Sequence, residues 1–444
     1  MSDGRAVDGV TLRWTGACAD LTPSDRRALL DRTSAVDTAV GERTASIVAR
    51  VRREGDDALR ALARELDGVD LDALEVPRDR WRSALEALPS PLRAALDRSA
   101  ENVGRVHRAF RPVTQETASE PGIVIGRRPD PLGRVGVYAP GGRAAYPSSV
   151  LMGIVPARVA GVGEIVLCSP PSRETGAPSD VVLAAAALAG ADRVFALGGA
   201  GAIAAMAYGT TSVPRVDRIV GPGNAYVAEA KLQVSNVVAI DSPAGPSELL
   251  VLCDDSADPA LVAREMLAQA EHDPLAAVVA VTVSADAAQA IVDALAAQVA
   301  AQPRAEICRA ALAGQGAVLF TDSLAESITF ANAYAAEHLL LVVEPLDEVL
   351  DRLRNAGTVF VGASASVAFG DYMTGANHVL PTGGLARSYS GLSTLDFVRW
   401  TTYQRVTPDA AARLSGDVGV FADAERLPGH ALAARAWGAE ATRR

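Results

Sequence analysis

Residues 133–142 read Gly-Arg-Val-Gly-Val-Tyr-Ala-Pro-Gly-Gly, an apolar run followed by a turn rich in glycine and proline. Glu164–Cys168 and Arg193–Leu197 are two further apolar runs, and Asp180–Ala189 between them has the composition of a helix. Strands that alternate with helices form parallel sheets that are covered on both faces. This stretch therefore predicts a doubly wound α/β domain.

A second set of alternating segments follows. Asp258–Glu271 is a predicted helix, because Asp258 suits the N-cap and Pro259 the first helical position. The predicted strands of this set are Ser247–Cys253, Ala277–Val283, Val318–Thr321, Leu340–Val343 and Val359–Val361. The predicted fold class is therefore α/β, with two Rossmann-like doubly wound domains.

Helical extensions are expected on both sides of these domains. From Thr22 to Arg111 apolar residues recur with helical periodicity, and the tail from Leu395 on looks helical without a core of its own. Such a tail often docks on another subunit. The expected division is an N-terminal extension (1–30), a first α/β domain (31–137 and 249–392) interrupted by a second (138–248), and a helical tail (393–444).

The bulk properties exclude several classes of protein. With 444 residues, 49% of them hydrophobic and 21% charged, the chain is long enough for two or three globular domains. The net charge of −11 argues against a nucleic-acid partner. Met1–Trp14 lacks the apolar segment of a signal peptide, and no apolar stretch reaches the roughly 20 residues that a bilayer requires. We therefore predict a cytoplasmic protein without a membrane partner.

Cysteine and lysine offer little chemistry. The spacing of the cysteines forms no CxxC pair, so we expect reduced, mostly buried thiols at Cys18, Cys168, Cys253 and Cys308. Lys231 is the only lysine, so a Schiff-base mechanism would have a single candidate. His107 lies in a helical, arginine-rich context, which predicts a surface position.

Histidines beside polar groups are the better candidates. Gln269 and His272 stand three positions apart near a predicted helix end, so both can face one metal ion; a polar helix end is the alternative. Glu337 and His338 follow the predicted helix Leu324–Ala336 and form a candidate acid–base pair. A histidine that complements the helix dipole is the alternative there.

Two later regions are weaker candidates. Asp371 could ligate a metal and His378 could contact a substrate, because both lie in a loop that glycines make adaptable. An ordinary polar turn is the alternative. Glu425 and His430, in the tail, indicate no function on their own.

A glycine-rich turn suggests a nucleotide. Residues 198–204 contain GxGxxA after a predicted strand, which imitates the dinucleotide fingerprint. The acidic residue expected about 20 positions later is missing, since Asp217 comes too early, and close packing is the alternative. Gly221–Asn224 and Pro243–Ser247 are stiff turns on either side of Lys231.

Taken in this order, the segments closely resemble the histidinol dehydrogenase family over roughly residues 133–430. Six separate strings match in the same order, so chance does not explain the agreement. The strings are Gly136-Val-Tyr138-Ala-Pro-Gly-Gly142, Gly221-Pro-Gly-Asn-Ala225, Asp241-Ser-Pro-Ala-Gly-Pro-Ser247-Glu248, Gln269-Ala-Glu-His272, Ala336-Glu-His338-Leu339, and Gly370-Asp-Tyr through Asn377-His-Val-Leu-Pro381.

The resemblance implies an intertwined homodimer that uses NAD and one zinc ion per subunit to oxidise L-histidinol to L-histidine, at the end of histidine biosynthesis. It assigns zinc to Gln269, His272, Asp371 and His430. It assigns the acid–base pair to Glu337 and His338, and further substrate contacts to Ser247, His378 and Glu425. NAD contacts fall to Tyr138, Gly201 and Asn224. The tail of one subunit, with Glu425 and His430, would complete the site of the other.

The resemblance also implies a four-electron oxidation, from alcohol through aldehyde to acid, with two NAD in turn. His338 would take the hydroxyl proton, and Glu337 would help water to add to the aldehyde. One position departs from the family, which usually has glutamine where this chain has Gly201. We therefore expect a wetter or differently shaped cofactor site.

Three other functions stay open on the sequence. They are a paralogue that oxidises another zinc-chelated alcohol such as a sulfonated diol, a zinc hydrolase in which Glu337 activates water, and a degenerate NAD-binding regulator. The complete set of metal and acid–base candidates favours the dehydrogenase. Manganese or cobalt could replace zinc at nitrogen and oxygen ligands.

Overall fold

The computed structural model describes residues 6–7, 9–32, 38–141 and 145–441. These divide into two compact units, one comprising residues up to Phe110 together with Gly133–Phe397, the other Arg111–Leu132 together with the residues from Val398 on. Parts of all four predicted segments lie outside the described residues: 1–5 and 8 of the N-terminal extension, 33–37 of the first α/β domain, 142–144 of the second (with Gly142 of the glycine turn), and 442–444 of the tail.

Most strands lie where short apolar or β-branched runs occur, whereas β4 is polar and exposed. In chain order they are β1 (Ala6–Val7), β2 (Val10–Thr11), β3 (Trp14–Ala17), β4 (Gln115–Glu120), β5 (Ile123–Pro131), β6 (Arg134–Tyr138), β7 (Glu164–Ser169), β8 (Arg193–Ala196), β9 (Arg218–Val220), β10 (Ala239–Ile240), β11 (Glu248–Cys253), β12 (Ala277–Thr282), β13 (Gly316–Phe320), β14 (His338–Val342), β15 (Thr358–Val361) and β16 (Val398–Val406).

The helices alternate with these strands over most of the chain. They are α1 (Pro23–Leu30), α2 (Thr38–Glu54), α3 (Asp56–Leu62), α4 (Arg78–Glu86), α5 (Ser90–Ala109), α6 (Pro147–Ala160), α7 (Asp180–Ala189), α8 (Gly199–Tyr208), α9 (Ala225–Val234), α10 (Pro259–Ala270), α11 (Ala285–Val299), α12 (Ala305–Gln315), α13 (Leu324–Tyr334), α14 (Leu346–Leu350), α15 (Val367–Tyr372), α16 (Pro408–Ala424) and α17 (Pro428–Ala441). None of the described helices combines the length and apolarity needed to cross a bilayer.

The first unit contains two parallel sheets of the predicted class. One has the order β10-β9-β6-β7-β8, the other the order β15-β14-β11-β12-β13-β3. In both sheets the earliest strand of the α/β repeat, β6 or β11, lies inside, and the chain winds outward first to one side and then to the other. That order confirms the doubly wound α/β prediction and creates a switch point beside β6 and beside β11.

Burial on both faces explains the apolar runs of the six-stranded sheet. Every residue of β11 and β12 is buried. Leu249 and Val251 belong to the core layer that includes α10 and α12, whereas Leu250 and Leu252 belong to the layer that includes α13. Because side chains alternate along a strand, such a strand must be apolar throughout rather than at every second residue.

The helices between residues 38 and 109 pack around the five-stranded sheet. Helix α2 contacts α8 and α9, α4 contacts α7, and α5 contacts α6. The expected borders instead assign residues 31–137 to the domain that contains the six-stranded sheet. They also divide β6 before Tyr138, although β6 pairs with both β7 and β9. The position of the domain borders stays a prediction.

Both predicted helical extensions contain strands. In the N-terminal one, β3 extends the six-stranded sheet beyond β13. In the second unit, β16 pairs antiparallel with β5 along its whole length, and β5 pairs with β4. The expectation of a purely helical tail was therefore wrong, because Val398–Val406 is rich in β-branched and aromatic residues and has a partner strand. The rest of the tail is helical, with α16 packed against α17.

The four cysteines are free and buried, as predicted. The surface position predicted for His107 was wrong. His107 lies on α5 with only 3% of its surface exposed, and neither ring nitrogen has a hydrogen-bond partner. Burial lowers the pKa of His107 to about 4, from an ordinary value of 6.5.

This burial makes stability depend on pH. The unfolded chain binds a proton at His107 more tightly than the native chain does, so stability is lost as the pH falls from about 6.5 towards 4. We expect His107→Phe to reduce the loss of unfolding free energy between pH 7 and pH 5 by about 2 kcal/mol. Urea denaturation at the two pH values measures this, and an unchanged pH slope in the variant would contradict it.

Candidate active site

The predicted acid–base pair lies at the amino edge of the six-stranded sheet. His338 is the first residue of β14, and Glu248 is the first residue of the adjacent strand β11. Helices α10 and α13 both end at this edge, since β12 and β14 follow them. The carbonyl groups of helix C-termini carry partial negative charge, so this edge favours a cation.

Hydrogen bonding defines the tautomer of His338. Its Nδ1 lies 2.9 Å from the main-chain oxygen of Glu248, which can only accept, so Nδ1 carries the proton. Its Nε2 is buried without a hydrogen-bond partner and lies 3.7 Å from Oδ1 of Asp371. Burial lowers the pKa of His338 to about 4, so the ring is neutral near pH 7. The free Nε2 can therefore accept a proton.

The pKa of Glu337 shifts in the opposite direction, upwards. Its Oε2 accepts a 2.7 Å hydrogen bond from the main-chain N–H of Glu248. Burial raises the pKa of Glu337 well above its ordinary value, and the nearby carboxylates of Glu248 and Asp371 raise it further. A buried carboxyl of raised pKa next to a neutral imidazole is an arrangement suited to acid–base catalysis.

His378 is also part of this region. Its Nδ1 donates to the main-chain oxygen of Asp371 at 3.0 Å, and its Nε2 lies 3.5 Å from the hydroxyl of Ser149 on α6. The neighbouring Asn377 donates to the main-chain oxygen of Met152 at 2.8 Å. Helix α6 therefore orients the predicted substrate-contact loop. Burial lowers the pKa of His378 to about 4.

Three of the four predicted metal ligands belong to the first unit. Gln269 is 3% exposed, and its Nε2 has no hydrogen-bond partner. His272 keeps an exposed surface, but partial burial of its ring lowers its pKa, and a positive charge on it would lower the pKa of His338 and His378. Burial, with a contribution from Glu265, raises the pKa of Asp371 to about 7. The amide oxygen of Gln269, the imidazole of His272 and the carboxylate of Asp371 are nitrogen and oxygen groups of the kind that ligate a cation.

The other predicted residues of the site lie in the tail. His430 is on α17 and Glu425 is the C-cap of α16, and both are exposed. Among the residues that the structure describes, no three His, Cys, Asp or Glu side chains lie close enough to hold a metal. Gln269, His272 and Asp371 are thus an incomplete set. Ser247 is half-buried directly before Glu248, and its main-chain oxygen accepts from Ala277.

A separate cavity of about 790 Å³ lies at the carboxyl edge of the five-stranded sheet. The last residues of β6, β7 and β8 line it, together with the first turn of α8 and the residues that begin α9. All three predicted NAD contacts line this cavity, namely Tyr138, Gly201 and Asn224. The N-termini of α8 and α9 present main-chain N–H groups, which suits a phosphate-containing ligand.

Local contacts explain these positions. The hydroxyl of Tyr138 accepts from the N–H of Gly199 at 3.0 Å, and burial raises its pKa to about 12. The side chain of Asn224 caps α9 by accepting from the N–H groups of Tyr226 and Val227. Gly201 contributes no side chain, and a Cβ there would lie 3.1 Å from a methyl carbon of Leu62.

The only lysine, Lys231, stabilises the turn at Gly221–Asn224. Lys231 is 1% exposed, forms an ion pair with Asp241, and donates to the main-chain oxygen of Gly221 at 3.1 Å. The other oxygen of Asp241 accepts from the N–H of Gly221 at 2.8 Å. Gly221 has a φ of +115°, and a Cβ there would lie 2.1 Å from the main-chain oxygen of Tyr138. The buried ion pair thus holds a turn that only glycine can form.

Removal of one partner should therefore be costly. Lys231→Met leaves the Asp241 carboxylate buried without a cation, and we expect a loss of about 3–5 kcal/mol in unfolding free energy. The double variant Lys231→Met/Asp241→Asn removes both charges, so its unfolding free energy should fall by less than that of the single variant. Urea denaturation compares the two, and equal stability of the single and double variants would contradict a paired role.

Sequence reasoning gave no role to two residues near the acid–base pair. Glu248 ended a recognised string, but its contacts with Glu337 and His338 depend on the pairing of β11 with β14. Ser149 carried no signal at all, because its proximity to His378 spans 229 residues of sequence.

Comparisons with known proteins agree with this geometry. The family model of histidinol dehydrogenase matches residues 30–437. Histidinol dehydrogenases from Methanosarcina mazei and Halobacterium salinarum are 45% and 50% identical over 419 and 416 residues; both alignments cover 94% of this chain, and they cover 96% and 97% of the relatives. A crystal structure of histidinol dehydrogenase from Elizabethkingia anophelis matches with a TM-score of 0.92 and 33% identity, covering 97% of this chain and 99% of that one.

Proposed function

Because this chain belongs to the histidinol dehydrogenase family, an oxidoreductase family, we propose that it oxidises L-histidinol through histidinal to L-histidine with NAD and one zinc ion per subunit. The observation that carries the proposal is the buried pair of a neutral His338 with a free Nε2 and a Glu337 whose carboxyl pKa is raised. A two-step oxidation needs one group that takes a proton from an alcohol and another that manages water.

His338 serves the first oxidation. Its Nε2 takes the proton of the substrate hydroxyl while the carbinol carbon loses a hydride, and the product is the aldehyde. The hydrogen bond from Nδ1 to the main-chain oxygen of Glu248 stabilises the imidazolium that forms. Burial of the ring keeps it neutral beforehand and therefore ready to accept.

Glu337 serves the second oxidation. As a carboxylate it takes a proton from water as the water oxygen bonds to the aldehyde carbon and the carbonyl oxygen becomes an oxyanion; this hydrate anion then loses the second hydride to give the carboxylic acid. The raised pKa of Glu337 makes the carboxylate a stronger base than an exposed glutamate. Assistance of this kind typically contributes about 10²–10⁴-fold.

Gln269, His272 and Asp371 would hold zinc, with His430 as the fourth ligand. The unpaired Nε2 of Gln269 marks an amide whose orientation nothing else satisfies, and the helix C-termini at this edge favour a cation. A bound zinc ion supplies Lewis acidity and a fixed point for the imidazole and amine of the substrate. Asp371 is the only anionic member of the set, so the site would keep a net positive charge.

The cavity beside Tyr138 would hold NAD. Tyr138 and Asn224 line it, and the N-termini of α8 and α9 lie where a pyrophosphate would bind. NAD held in this cavity would supply the hydride acceptor that both oxidations need. The family usually has glutamine at the position of Gly201, but here side-chain carbons of Leu62 and Leu59 lie 3.1 Å and 3.6 Å from where a Cβ would stand, so this side of the cavity is apolar and is not wetter.

We further propose a homodimer in which tail residues complete the site of the neighbouring subunit. Glu425 and His430 are exposed within their own unit, as residues that serve a second chain would be. Large apolar side chains on the same two helices are exposed as well, including Phe421, Leu432 and Trp437. Such surfaces are typical of a protein interface.

Two substitutions test the division of labour. His338→Asn should abolish NADH formation from histidinol, since the first proton transfer is lost. Glu337→Gln should mainly slow the oxidation of added histidinal, because only the hydration step needs the carboxylate. The measurement is NADH absorbance with each substrate for wild type and both variants. Equal loss of both steps in both variants would contradict the division.

A further inference from the structure

Glu248 contacts both members of the acid–base pair through its main chain. Its N–H donates to Oε2 of Glu337 at 2.7 Å, and its C=O accepts from Nδ1 of His338 at 2.9 Å. The first bond orients the carboxyl group, and the second selects the ring tautomer that leaves Nε2 free. The position of a single peptide segment therefore sets the geometry of two functional groups.

The side chain of Glu248 holds that segment in place. It is buried, and its two oxygens accept from four donors: Nε of Arg32 at 2.8 Å, Nη2 of Arg32 at 3.0 Å, the N–H of Gly383 at 2.8 Å and the N–H of Glu337 at 3.4 Å. A carboxylate bound at both oxygens by a planar guanidinium has little freedom to rotate. It thus joins the start of β11 to the residue directly before β14.

Arg32 is buried equally deeply. Its side chain is 5% exposed, its guanidinium lies 3.5 Å from the centre of the Tyr334 ring, and Nη2 donates to the main-chain oxygen of Tyr334 at 2.9 Å. Tyr334 is the last residue of α13, three positions before Glu337. The guanidinium therefore holds both the Glu248 carboxylate and the end of the helix that leads into the acid–base pair.

We propose that Glu248 and Arg32 are positioning residues for the Glu337–His338 pair, so that this buried ion pair controls the chemical step without touching the substrate. The inference rests on the proposed function, since it assigns the chemical step to that pair. Among the described residues of this unit, no hydrogen bond or ion pair joins Arg32 to a predicted zinc ligand or to a residue that lines the NAD cavity. Its loss should therefore lower kcat and leave the KM values nearly unchanged.

The test uses zinc-loaded, full-length protein and the variants Arg32→Met, Glu248→Gln and their combination. Each single variant leaves one buried charge without its partner, and we expect kcat to fall about 10- to 100-fold. The KM values for histidinol and NAD should change by less than about threefold. The double variant has no unpaired charge, so its kcat should fall by a smaller factor than the product of the factors measured for the two single variants. Arg32→Lys keeps the charge and should retain more activity than Arg32→Met.

A control with the same kinds of contact, in a more exposed ion pair (side chains 30% and 42% exposed), is available elsewhere in the same unit. Arg193 binds both oxygens of Glu75 and donates to the main-chain oxygen of Ser212, so its contacts are similar in kind to those of Arg32. Arg193→Met should leave kcat per folded enzyme unchanged. An equal fall of kcat in Arg193→Met and Arg32→Met would show a merely structural role and would overturn the proposal.

A second readout does not depend on the substrate. Nitrogen NMR of 15N-histidine-labelled protein, with His338→Asn to identify the signal, reports the tautomer of the His338 ring. Wild type should show the Nδ1–H form, and Arg32→Met should populate the Nε2–H form as well. An unchanged tautomer together with full kcat per folded enzyme would overturn the positioning role. A wild type that shows the Nδ1–H form but does not oxidise histidinol would contradict the proposed function instead.

Discussion

Burial of ionisable groups at the amino edge of the six-stranded sheet is the constraint on which the site depends. Here burial raises the pKa of Glu337 and Asp371 and lowers the pKa of His338 and His378. Burial therefore favours the uncharged form of each of these four groups. The Arg32–Glu248 pair is the buried ion pair that directly supports them, because each of its charges has a full set of partners. A bound cation would compensate the remaining negative charge of Asp371.

The two proposed ligand sites lie at opposite edges of the two sheets. The cavity of the five-stranded sheet lies at the carboxyl edge, where α/β folds usually bind nucleotides. The acid–base pair lies at the amino edge of the six-stranded sheet, where helices end and a cation is favoured. Helix α6 follows β6 of the five-stranded sheet. Through Ser149 and Met152 it contacts His378 and Asn377, near the predicted acid–base pair. This contact links the proposed cofactor domain to the substrate loop.

Local pattern was sufficient for much of this fold. Asp180–Ala189 and the strands around β11 followed directly from apolar runs and caps, because these segments are buried on all sides. The strand Val398–Val406 was missed, since its β-branched and aromatic composition was not weighed, none of its residues is buried, and its pairing with β5 cannot be read from a local pattern. The site residues came from resemblance, whereas Arg32 carried no signal, because it meets Glu248 across 216 residues of sequence. Tertiary pairing of this kind is absent from any local pattern.

The most direct test of the account is the yield of NADH per histidinol consumed, measured by absorbance with purified protein before chelation, after chelation and after the return of zinc. The account predicts two NADH for each histidinol, loss of the reaction with the chelator and recovery with zinc. Absence of NADH under every metal condition would contradict the proposed dehydrogenase and would favour a different zinc-chelated alcohol or a hydrolytic reaction at the same residues.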